Sequence, residues 1–199
     1  MQPTVDTQQR ILDSAQELIY SRSYADVGVA AICEHAGVKK GSFYHFYPSK
    51  RDLTLAVLDA HFPEIKEHLV KRAFANDIPP LARIARFGQI AYEFQKQVSK
   101  DTGRVQGCLF GNLATELATQ DEPIRVRIEQ IFSQMQDGIR AVLREAVEVG
   151  EVQDINIEAT AQAMLAYFEG VMLLAKSQNN VEILGQLLPA MAQIHIKPL

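Results

Sequence analysis

Between Pro123 and Gly150 the chain places Ile124, Ile128, Ile131, Met135, Ile139, Val142 and Ala146 at steps of three or four residues. That is the period of one face of an α-helix. Pro123 suits the first turn of such a helix and Gly150 a position just past its end. A stripe of this length has to be covered by something. No stretch of the chain alternates apolar and polar residues every second position between turn signals, so no sheet is expected to do it. The cover has to be other helices.

The rest of the sequence offers them. From Thr7, with Asp6 or Thr7 to cap the start, Ile11, Leu12, Ala15, Leu18 and Ile19 form a second stripe. "VAAICEHA" predicts a short helix over 29–36 that buries Val29, Ile32, Cys33 and Ala36. Gly37 suits a left-handed exit, Val38 returns to the core, and a third short helix runs from about Lys40 to Tyr47. Pro48 discourages continuation, and Ser49 with Asp52 three residues on makes a capping-box-like start for a helix carrying Leu53, Ala56, Val57 and Ala60. That helix continues to about Ala75, with a kink or break expected at Pro63. Further helices are predicted from Pro80 to about Lys100, over "GCLFGNLATELA", over 157–177 with Asn156 as cap, and over about 180–194. The fold class is all-α.

Residues 37–53, "GVKKGSFYHFYPSKRDL", are chemically unlike the remainder. Lys39, Lys40, Lys50 and Arg51 against Asp52 give this stretch +3, while the whole chain carries −4. Positive charge is confined, so any nucleic-acid partner is met locally and not by the bulk charge. A short helix, a tight turn at Gly37 and a second short helix make a helix-turn-helix candidate. In such a unit the second helix enters the major groove N-terminus first. Phe43 and Tyr47, four apart, would hold that helix inward. Lys39, Lys40, Ser42, Tyr44 and His45 would remain on its N-terminus and outer face, with the reach to meet phosphate oxygens and base edges. The helix start at Ser49 to Arg51 offers backbone N–H groups suited to one more phosphate.

Other classes find little support. Two cysteines, Cys33 and Cys108, make neither a disulfide framework nor a zinc site. The N-terminus lacks the pattern of a signal peptide, and no apolar run approaches the ~20 residues of a membrane span. A cytoplasmic protein without membrane partner, metal or other cofactor is expected. No Ser/His/Asp pattern, Gly-rich phosphate loop or His-Glu metal pair stands out; His61, Glu64 and His68 could share a face, but Pro63 interrupts it and no fourth ligand is evident. No catalytic residue is expected. A helical protein-interaction module remains a rival, distinguished by salt dependence, because phosphate contacts lose affinity steeply as salt is added.

"AAICEHAGVKKGSFYHFYPSKRDLTLAVL" resembles the DNA-binding domain of the TetR family of bacterial transcriptional repressors, with Tyr47 standing where Phe is usual. The resemblance covers about a quarter of the chain well. It implies a three-helix DNA-binding domain over 1–50 and a helical effector-binding and dimerisation domain over 51–199. It implies that Tyr44 and Lys50 hold phosphates and that Lys39, Lys40, Gly41, Ser42 and His45 face the groove. Thr or Ser often contacts a phosphate at the start of the second helix, and Gly28 and Val29 stand there instead. The partners implied are a double-stranded operator, a small-molecule effector and a second copy of the chain. Pairing is expected through 157–177 and 180–194, where Ala159, Ala163, Ala166 and Gly170 form a small-residue stripe widened by Tyr167, Val171 and Leu174. The effector chamber is expected among the middle helices, at Phe87, Tyr92, Cys108, Asn112, Glu116, Phe132, Met135 and Phe168, by the general composition of small-molecule sites. Cys108, next to Gly107 at a helix start, is a candidate sensor of electrophiles or oxidants as well as a candidate packing residue. The resemblance implies a repressor that binds a palindromic operator as a dimer and is released by a small-molecule effector; an activator is also compatible with these residues.

Overall fold

The computed structural model describes residues 4–198, and among them every regular element is helical. In chain order these are α1 (Thr4–Ser21), α2 (Val29–Ala36), α3 (Lys40–Phe46), α4 (Lys50–Ile65), a π-helical segment (Lys66–Val70), α5 (Lys71–Ala73), α6 (Pro80–Thr102), α7 (Leu109–Leu117), α8 (Glu122–Glu148), α9 (Ile157–Gln178), α10 (Glu182–Leu187) and a 3-10 segment (Leu188–Gln193). Two compact units are present. The first takes in the chain up to Pro63 together with Leu109–Glu129; the second takes in Glu64–Cys108 and the chain from Gln130 onward.

In the first unit the α1 stripe is buried at Ile11, Ala15, Leu18 and Ile19, and α2 buries Ile32, Cys33 and Ala36. Val29 and Val38, both expected inside, are only half-buried, and Val27 in the preceding loop is enclosed instead. Phe43 is fully buried and Tyr47 nearly so. The hydroxyl that distinguishes Tyr47 from a phenylalanine hydrogen-bonds the Gln8 side chain, which removes the cost of burying it. Ser49 caps α4: its Oγ accepts from the Asp52 N–H at 3.1 Å while donating to the Asp52 carboxylate at 2.7 Å. Phe110, Leu113 and Leu117 of α7 are buried, Phe110 with its ring centroid 5.7 Å from that of His61 and 6.0 Å from that of Phe62.

Three sequence expectations differ from the structure at element ends. α1 starts at Thr4, so Asp6 and Thr7 lie within it. Pro63 sits inside α4, and the chain passes into the π-helical turn at Lys66 before regaining α-helix at Lys71. A proline removes one N–H and presses on the carbonyl four residues back, and a register shift is one way to re-pair the freed groups. The final helix expected over 180–194 is α10 followed by 3-10 turns, because Pro189 lacks the N–H that an α ladder needs there.

The second unit is built around a cluster that includes Ile84, Phe87, Leu143, Met164, Phe168, Leu184 and Leu188. Gly88 of α6 permits its closest packing: a Cβ there would meet the Leu188 Cβ at 2.8 Å. Arg83 is buried in this unit and held at each of its three nitrogens, donating from Nε to the Ile78 carbonyl at 2.8 Å and from Nη1 to Glu145 at 2.7 Å, with Nη2 on Asn76. Asn156 caps α9 by accepting from the Ala159 N–H at 3.0 Å.

Candidate nucleic-acid interface

The geometry of the reading helix is set by Gly37 and Arg10. Gly37 adopts φ +63° and closes α2 by donating its N–H to the Cys33 and Glu34 carbonyls. The Arg10 guanidinium, from α1, donates to the Ala36 carbonyl and, at 3.3 Å, to that of Gly37. The Cys33, Glu34 and Ala36 carbonyls at the end of α2 are therefore satisfied, and the turn into α3 is pinned to α1. Val38 N–H donates to Cys33 at 2.9 Å, which carries the chain on to Lys39.

From Lys39 onward the two faces of α3 separate cleanly. Phe43 and Tyr47 face inward, with ring centroids 6.2 Å apart. Lys39, Lys40, Gly41, Tyr44 and His45 are exposed and Ser42 is half-buried. Tyr44 keeps 56% of its surface in solvent although its ring meets Phe43 edge-on at 5.1 Å. An exposed aromatic with a hydroxyl beside two lysines that form no ion pair among the described residues is suited to phosphate oxygens and base edges. Nothing lies within 4 Å of a Cβ built on Gly41, so the bare backbone there faces open space.

Lys50 sits differently. Its Nζ donates to the Tyr24 carbonyl at 2.7 Å and to the Val27 carbonyl at 3.0 Å, and stands 3.8 Å from the centre of the Tyr24 ring. Burial pushes its ammonium pKa down, opposed by the charge of Glu116. Arg51 donates to Asp121 at 2.5 Å. Glu116 of α7, expected in the effector chamber, accepts from the backbone N–H of Tyr24 at 2.9 Å and of Ala25 at 2.6 Å. It therefore lies in the first unit, as does Asn112. Sequence reading missed this use of Glu116, and no local signal could have given it, since its partners lie some ninety positions earlier in the chain.

Phe87, Tyr92, Cys108, Phe132, Met135 and Phe168 all belong to the second unit. Phe87 and Phe168 are buried with ring centroids 5.1 Å apart, Met135 is buried and Phe132 half-buried. The Tyr92 hydroxyl donates to Glu182 at 2.7 Å and accepts from Lys96 at 2.8 Å. The Cys108 thiol donates to the Glu169 carboxylate, whose Oε1 lies out of solvent with no hydrogen-bond partner among the described residues. Burial pushes the Glu169 carboxyl up to about 7, with the thiol opposing the shift. Glu169 was legible in principle: it is the one charged residue between Glu158 and Lys176. On α9, Val171 is buried and the Tyr167 hydroxyl donates to Leu187, whereas Ala166, Gly170, Leu173 and Leu174 are exposed.

No group of three His, Cys, Asp or Glu side chains among the described residues could hold a metal ion, and no described helix is long and apolar enough to cross a membrane.

Known proteins share both parts of this arrangement. The description "Bacterial regulatory proteins, tetR family" matches residues 11–57, and "Tetracyclin repressor-like, C-terminal domain" matches residues 80–191. An uncharacterized HTH-type transcriptional regulator in the lacX 3' region of Lactococcus lactis is 31% identical over 90% of this chain and 88% of its own. The HTH-type transcriptional repressor DhaR of Mycobacterium sp. is 26% identical over 90% and 87%. The crystal structure of regulatory protein TetR from Rhodobacter sphaeroides superposes with a TM-score of 0.83 at 28% identity, covering 94% of this chain and 98% of that one. These relatives are transcriptional regulators and not enzymes. With its reading helix matched at one end and more than half its length matched behind it, the chain belongs to the tetR family of bacterial regulatory proteins.

Proposed function

We propose that the protein is a repressor that binds a two-fold-symmetric operator as a dimer and leaves it when a small molecule occupies the second unit. The observation that carries this reading is the division of α3 into a buried Phe43–Tyr47 side and an exposed Lys39, Lys40, Tyr44 and His45 side. Gly41 and Ser42 let the backbone come close to the groove, and the two lysines supply the charge that phosphates need. One seven-residue helix reads few bases, so two copies spaced about 34–36 Å apart on one face of the duplex are required.

The exposed small and apolar face of α9, Ala166, Gly170, Leu173 and Leu174, supports pairing through that helix together with residues 180–194. The effector is assigned to the second unit, where Phe87 and Phe168 are buried against each other and the Cys108 thiol donates to the Glu169 carboxylate. The name of the DhaR relative supports repression over activation. Binding to chromosomal DNA makes the bacterial cytoplasm its place of work. Effector binding acts as a population shift, favouring a spacing of the two α3 helices that no longer fits the operator.

Selection of bound sequences from a pool of random duplexes tests the reading. A palindrome whose half-sites are one helical turn apart is expected, with affinity falling steeply as salt rises. Failure of the protein to retain any duplex at low ionic strength would overturn it.

A further inference from the structure

The loop over 22–28 is held from two sides by charged side chains distant in sequence. From α7, the Glu116 carboxylate takes the N–H groups of Tyr24 and Ala25, one on each oxygen, at 2.9 and 2.6 Å. From the first turn of α4, Lys50 takes the carbonyls of Tyr24 and Val27, at 2.7 and 3.0 Å, with its Nζ above the Tyr24 ring. Tyr24 is thus gripped at its N–H, its carbonyl and its ring. Ser23 adds an Oγ that accepts from the Asp26 N–H at 3.1 Å. One residue further on, Arg51 reaches Asp121 at 2.5 Å, so α4 is tied a second time to the turn between α7 and α8.

The loop has little else to fix it. It ends at Gly28, which precedes α2 and offers no side chain to cap it. Val27 is its buried anchor. Where the loop ends determines where α2 starts, and α2 carries the turn that presents α3. Two of the three Lys50 donors are spent on carbonyls of this loop.

We infer that Glu116 and Lys50 are a coupled pair of positioning residues for DNA binding: they hold the 22–28 loop, and through it α2 and α3, in the reading geometry. The inference rests on the proposed DNA-binding function. The sign of the expected effect runs against charge alone. Deleting an anion from a DNA-binding unit removes repulsion toward the polyanion and by charge alone strengthens binding. Deleting Glu116 must weaken it.

The experiment measures affinity of the full-length protein for a mixed-sequence duplex, and for the palindrome recovered by selection, over a series of salt concentrations. Glu116→Ala, Glu116→Gln, Lys50→Met and the Lys50→Met/Glu116→Ala pair are compared with the unsubstituted chain after circular dichroism shows each is folded. Glu116→Gln keeps an acceptor and serves if the alanine variant does not fold. Each single substitution is expected to lower affinity about tenfold or more, as loss of charged hydrogen bonds implies. The pair should be no weaker than the weaker single, because both act through one loop. Two results would overturn the inference. One is a folded Glu116 variant that binds duplex as tightly as the unsubstituted chain or tighter. The other is losses that simply add in the Lys50→Met/Glu116→Ala pair, as for two residues that act independently. If the unsubstituted chain binds no duplex, the regulator reading falls and this inference with it.

Discussion

Replacing Glu169 by Gln should make the protein more stable, and only above a definite pH. The residue as a whole is half-buried, but its Oε1 is out of solvent with no hydrogen-bond partner among the described residues. An ionised carboxylate is costly there, and the single thiol hydrogen bond from Cys108 offsets only part of the cost. The carboxyl titrates at about 7 in the folded chain against an ordinary 4.5. Below 4.5 both states hold the proton and nothing is lost. Between 4.5 and about 7 the unfolded chain releases it while the folded chain keeps it, so stability falls as pH rises; above about 7 the loss is complete. At 1.36 kcal/mol per pH unit the interval is worth about 3 kcal/mol. Glutamine keeps an oxygen to accept from Cys108 and carries no charge to desolvate. Urea unfolding of both proteins at fixed concentration, from about pH 4.5 to about pH 8, isolates the effect, since every other titration is shared. The expected result is equal stability at the acid end and a gain for the variant that grows with pH and levels off above neutrality. A difference that stays flat across this range would refute the argument, since it would mean that the Glu169 carboxylate reaches water in the folded state.

Three further outcomes follow from packing and charge. Gly88→Ala puts a methyl 2.8 Å from the Leu188 Cβ and 3.2 Å from its backbone, and should cost about 1–3 kcal/mol by thermal or denaturant unfolding even though alanine is the better helix former. Lys40→Ala should leave the fold intact and reduce the log–log salt slope of duplex binding by about 0.9 for each phosphate that Lys40 neutralises, where an unchanged slope would remove Lys40 from the interface. Leu173→Glu, on the exposed side of α9, should yield folded monomers by sedimentation, and an unchanged dimer would move the interface elsewhere.

What could be read from the sequence was whatever depends on neighbours three and four positions away. The stripe from Ile124 to Ala146 is buried at every position named, and Phe43 and Tyr47 lie inside while Lys39, Lys40, Tyr44 and His45 lie outside. Both follow from helical period alone, because a residue's face is decided by the turn it shares. Side chains whose partners are remote in sequence were not readable in this way. Lys50 is a cation in a run of cations, and the run says nothing of two carbonyls waiting more than twenty residues back. Glu116 falls on a helix with apolar Leu109, Leu113 and Leu117, where an acid reads as either solvated or lining a chamber; its actual partners are backbone groups that carry no sequence mark at all. The same holds for Arg83, enclosed by a carbonyl, an amide and a carboxylate that only the fold assembles.

This division has a consequence for how the reading helix is held. The residues legible as groove-facing need only exposure and reach, and a helix supplies those locally. The position and tilt of that helix are non-local quantities, set here by Arg10 on the α2 carbonyls from one side and by Glu116 and Lys50 on the 22–28 loop from the other. Charge near a DNA-reading helix is therefore of two kinds. Lys39 and Lys40 present theirs outward with no ion pair among the described residues, whereas Lys50 and Glu116 direct theirs onto backbone groups of the 22–28 loop.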